Sequence, residues 1–196
     1  MNNKVQNVLL GVLAIGLIGI TVAYAALTQQ LKIEGTAKVA SPKWDVHFGT
    51  VSAGNAQGYA TAGTLAKTGE TTIAGDIGTL KAPGDSITYT FDIENAGDIN
   101  AIIDTVTGGQ SFTCTSATKS VADAVCKDLT YSIKYTDGNA TIAKGDKLAK
   151  ATNSSTPTKK NVTLTLTYKS TATTVASEDV TVTADPMTIT YVQDAK

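Results

Sequence analysis

Polar and apolar residues alternate with a period of two along most of the chain beyond residue 26. Helical spacing is confined to 120–127. Ile87, Tyr89, Phe91 and Ile93 alternate with Ser86, Thr88, Thr90 and Asp92, and the same rhythm runs through Leu129–Tyr135, Val162–Tyr168, Val180–Val182 and Met187–Tyr191. The chain's 33 threonines reinforce it, because a β-branched side chain resists helix and suits a pleated, half-buried surface. Pro83-Gly84, Asn95-Ala96-Gly97, Asp137-Gly138 and Asp185-Pro186 supply turns between or beside these runs. Strands at this spacing predict an all-β fold, a single antiparallel β-sandwich.

The first 26 residues are different. Lys4 precedes an uncharged apolar run from Val8 to Ala26 that ends Ala23-Tyr24-Ala25-Ala26. A positive residue, an apolar stretch and a small-x-small ending form a secretory signal, with cleavage expected between Ala25 and Ala26. At 19 residues the run is also long enough to span a bilayer, so a retained membrane anchor is the competing reading. No basic stop-transfer cluster follows, which favours cleavage. The predicted organisation is an apolar signal or transmembrane helix over 1–25, an N-terminal strand over 26–40 and the sandwich over 41–196. The membrane is then met only through the signal segment.

In an oxidising compartment Cys114 and Cys126 read as one disulfide, with two free thiols as the alternative. The strand over 26–40 places Leu27, Leu31, Ile33, Ala37 and Val39 on one face. Thr28, Gln30, Lys32, Glu34, Thr36 and Lys38 lie on the other. Fully extended, Ala26 to Val39 would reach about 46 Å, longer than sandwich strands usually run. Part of it can therefore leave its own domain and add to the sheet edge of a neighbour. Pairing within its own sheet is the other reading.

The sequence argues against several functions. It has no arginine and a net charge of −1, which does not suit nucleic-acid binding. His47 is the only histidine and no HExxH is present, so a two-histidine zinc site cannot be built. His47 reads as a solvated strand residue. Acidic residues gather at Asp85, Asp92, Glu94, Asp98 and Asp104 without an EF-hand pattern, as a solvated stripe would. No catalytic, cofactor-binding or metal-binding set of residues is expected.

Three segments carry a likeness. The Ala23-Tyr24-Ala25 ending lies close to the mature strand, Leu80-Lys81-Ala82-Pro83-Gly84-Asp85 leads into Thr88-Tyr89-Thr90-Phe91, and Glu94-Asn95-Ala96-Gly97 follows. In order and spacing they resemble the TasA/camelysin family of secreted bacterial matrix proteins. The likeness covers about the first 30 residues and the 80–103 block. It departs where Ala26-Leu27 replaces the aromatic expected after the signal, and in the cysteine pair. The resemblance implies a jelly-roll sandwich, processing by a dedicated signal peptidase, and copies of the chain joined into extracellular biofilm or surface fibres by strand donation. Some family members carry a metalloprotease label, which the missing ligands oppose here. A monomeric or membrane-anchored adhesin is the remaining alternative.

Overall fold

The computed structural model describes residues 2–27, 32–153 and 155–194, with 19–27 described through the backbone alone, and it is mostly β with antiparallel pairing. It divides into two units, 1–40 and 41–196.

In the first unit, helix α1 runs Asn3–Leu27. Its sequence has no proline, and interior glycines only weaken a helix. Among the described residues no helix is long and apolar enough to cross a membrane. Among the described residues the expected strand over 26–39 is not formed: Ala26 and Leu27 end α1 and 32–40 has no regular secondary structure, while Leu31 lies outside the described residues. The physical reason is that alternation defines two faces but supplies no ladder partner, and an unpaired strand is not stable alone.

The second unit begins with short strands: β1 Val46–Val51, β2 Asn55–Gln57, β3 Thr61–Ala62, β4 Ala66–Gly69, β5 Thr72–Ala74 and β6 Gly78–Thr79. The glycine- and threonine-rich composition of this stretch breaks it into two- to six-residue pieces. Longer elements follow: β7 Ser86–Asn95, β8 Ala101–Thr107, β9 Phe112–Thr115, helix α2 Lys119–Lys127 and β10 Leu129–Tyr135. The chain finishes with β11 Lys147–Leu148, β12 Thr158–Tyr168, β13 Thr181–Ala184 and β14 Thr188–Gln193.

The largest sheet has the order β1-β7-β12-β10, with β2 also on β7. β7 and β12 are paired in unbroken register from Ser86↔Thr167 to Asn95↔Thr158, which aligns the Ile87, Tyr89, Phe91, Ile93 face with Val162, Leu164 and Leu166. β1 and β2 share the other edge of β7, with the register slipping between Phe48 and Val51. A second sheet, β11-β8-β14, adds Ala101, Ile103 and Leu148, and these join the β7 and β12 side chains in one buried cluster. Each fully buried leucine, isoleucine or valine contributes about 1.5–3 kcal/mol, so this two-sheet contact dominates the stability of the unit.

Two further ribbons have two strands each and lie outside these sheets, β3-β6 and β9-β13; a third is the β4-β5 hairpin. Cys114 on β9 and Cys126 on α2 form a disulfide with Cα atoms 5.9 Å apart. It anchors the β9-β13 ribbon to the helix, beside the smaller cluster of Val125, Leu129 and Tyr168. Replacing both cysteines with serine is expected to lower unfolding stability by about 3 kcal/mol, read as a shifted urea midpoint. An unchanged midpoint would show that packing alone secures the ribbon.

Candidate functional site

Two turn motifs in the second unit serve as internal clasps. Asp85 is 1% exposed, and its carboxylate accepts backbone hydrogen bonds from Tyr59 (2.7 Å), Lys81 (2.7 Å) and Ala82 (2.9 Å). Burial works to raise the Asp85 pKa, but the amides of Lys81, Tyr59 and Ala82 outweigh it and hold the carboxyl below its ordinary value. The same turn is clasped to the end of β12, where the Gly84 amide donates to the Tyr168 carbonyl and the Tyr168 amide to the Asp85 carbonyl, both 2.9 Å. Gly84 has φ +96, which glycine adopts without strain. Asn95, also 1% exposed, donates through Nδ2 to the Ile99 carbonyl and accepts at Oδ1 from the Gly97 amide, both at 2.9 Å.

Four of the clustered acids are spread over three lysines, with Asp92 and Glu94 sharing one. Asp92 and Glu94 meet Lys159 at 3.4 and 2.7 Å, Asp98 accepts the Lys43 amide at 2.6 Å, and Asp104 meets Lys144 at 3.0 Å. Hydrogen bonding to Glu94 raises the Lys159 pKa. His47 departs from its expected solvated setting: it is half-buried, with Nδ1 2.7 Å from Asp45 and Nε2 3.6 Å from Glu94. Among the described residues no group of three or more His, Cys, Asp or Glu side chains is placed to hold a metal.

Of the residues expected in the donated strand, Ile33 and Val39 are each 96% exposed, and Ala37 is exposed as well. The side chains of Ala23, Ala25, Ala26 and Leu27 lie outside the description, as does all of Leu31. In the second unit the chain is fixed from Lys43 onward. The Ala96 amide donates to the Asp45 carbonyl (2.8 Å) and the Asp98 amide to the Lys43 carbonyl (3.1 Å).

The second unit also holds a groove of about 920 Å³ that the alternation pattern did not reveal. One wall is residues 75–81, including β6, and the other is 176–184, including β13. The buried Val125, Leu129, Leu166 and Tyr168 also line it. Both walls are backbone edges. The Asp185 amide donates to the Ser111 carbonyl at 2.9 Å, and this bond sets the alternation of the β9-β13 ladder. The main-chain groups of Val182 and Ala184 therefore point away from β9. The Gly63 amide donates to the Ile77 carbonyl at 3.1 Å, so by the same alternation the Gly78 carbonyl points away from β3. Gly78 has φ +127, and a Cβ there would strike the Thr61 carbonyl oxygen and Ile87 Cδ1. Ala176, Glu178, Val180, Val182 and Ala184 are half-buried in regular alternation, which extends strand spacing beyond the four residues that pair.

No family model, curated protein or solved structure matches the chain.

Proposed function

We propose that this chain is a secreted, non-enzymatic structural subunit, with a jelly-roll-like sandwich, that polymerises head-to-tail into extracellular surface or biofilm-matrix fibres. Each copy donates part of its 26–40 segment to the sheet of the next. The observation that carries this reading is the state of 32–40. It is exposed and without secondary structure, yet its sequence alternates Ile33, Gly35, Ala37 and Val39 with Lys32, Glu34, Thr36 and Lys38. Such a pattern fits a strand whose partner belongs to another molecule. A contact between unlike surfaces, repeated by a rotation that does not close into a ring, generates a filament. The resemblance in the signal, the 80–85 turn and the 94–97 turn supports the same reading.

Export is part of this proposal, with a signal peptidase cutting between Ala25 and Ala26. N-terminal sequencing of protein from the culture medium is expected to start at Ala26, and negative-stain images of the same sample should show fibres. An intact N-terminus on protein held only in membranes would instead favour the anchored adhesin. That second reading draws on two exposed aromatics, Trp44 at 44% and Tyr59 at 76%, of the kind that carbohydrate-binding surfaces use.

A further inference from the structure

We infer that the groove between 75–81 and 176–184 is the acceptor for the 32–40 segment of a second copy. This inference rests on the fibre reading and specifies where its joint forms. The ribbons β3-β6 and β9-β13 each present an edge to the same groove, and among the described residues neither β6 nor β13 has a second strand partner. One added strand would meet both edges and join two isolated ribbons into a continuous sheet. Unpaired edges of this kind are templates for another chain, and small ribbons are marginal on their own.

The occupant is argued from pattern and charge. The small and apolar face of the 32–40 segment, Ile33, Gly35, Ala37 and Val39, would lie over the cluster of Val125, Leu129 and Tyr168. The opposite face would stay in water. The groove rim has Asp76, Glu178 and Asp179 against Lys81, whereas the segment has Lys32 and Lys38 against Glu34. A negative rim therefore meets a positive strand, which favours encounter at low salt.

The test uses the natively processed chain and two readouts. Amide exchange is compared between dispersed protein and fibres. In fibres the amides of Val182 and Ala184 should exchange at least about tenfold more slowly, as newly paired strand amides do. Ser177→Lys/Asp179→Lys changes two exposed groove residues and is expected to slow fibre growth about tenfold at low salt. Adding Lys32→Glu/Lys38→Glu to the same chain should restore growth. Fibres that grow while exchange over 75–81 and 176–184 is unchanged would place the joint elsewhere, overturning the acceptor and leaving the fibre reading intact. Slowed exchange in a persistent monomer would show the chain's own segment in the groove, overturning the second-copy assignment. A protein that stays monomeric with both walls exchanging freely would overturn the fibre reading and this inference with it.

Discussion

Removing residues 26–40 is expected to leave a folded, soluble β-rich monomer that no longer forms fibres. The expectation follows from where the buried side chains are. Every member of both clusters lies beyond residue 40, from Ile87 and Tyr89 on β7 to Tyr168 on β12. Ile33 and Val39 are exposed, so their loss removes no buried side chain. Burying those two side chains in a neighbour would contribute about 5 kcal/mol before ordering costs are subtracted. Ile33→Asp offers a graded form of the same result, because it places a charge on the face that must lose water. A penalty of about 3 kcal/mol there corresponds to a roughly hundredfold higher concentration needed for assembly. Sedimentation and circular dichroism of the truncated chain measure both halves. Normal fibres without the segment would refute strand donation. Loss of folded structure would show that the segment stabilises its own domain.

What the sequence made legible was the period and what it did not was the partner. Ile87–Ile93 and Val162–Tyr168 announced β7 and the core-facing end of β12 because strict alternation on a buried face admits one register. The helical turn expected within 120–127 appears as α2, and the cysteine pair closes. The same alternation produced no strand over 32–39. A hydrophobic face is local information, whereas a ladder partner is supplied by distant or separate backbone. His47 shows the same limit. It sits on the side of β1 away from Phe48, as expected, but Glu94 comes from β7 in the pairing His47↔Glu94 and removes it from open solvent. The groove was less legible still. Its walls are two segments about a hundred residues apart, and backbone edges leave no signature in side-chain composition.

The clasp around Asp85 leads to the second large expectation, Asp85→Ala destabilising the second unit by roughly 3 kcal/mol. Substitution leaves the amides of Tyr59, Lys81 and Ala82 without their acceptor in a site that is 1% exposed. Water cannot readily replace the carboxylate there, so the cost is that of several unsatisfied buried donors. Asp85→Asn keeps the shape and one acceptor oxygen, and should cost less. The sign of the pH effect is set by the lowered pKa. A carboxyl whose folded pKa lies below its unfolded value near 3.8 stabilises the fold above that value. The contribution is lost as pH falls from there through the folded pKa, when the proton restores a neutral acid and weakens its hold on the three amides. Urea unfolding of the parent chain should therefore show a midpoint that falls with acidification below about pH 4, and Asp85→Asn should flatten that part of the slope. An equal acid slope in both proteins would assign the acid sensitivity to other carboxylates, such as Asp45, whose pKa the Lys43 and His47 side chains also lower. The lysine side of the groove wall gives the control: Lys81→Ala keeps the backbone amide that Asp85 accepts, so it should leave the clasp in place and weaken its pH dependence only slightly, through loss of the Lys81 charge that adds a little to the lowering of the Asp85 pKa.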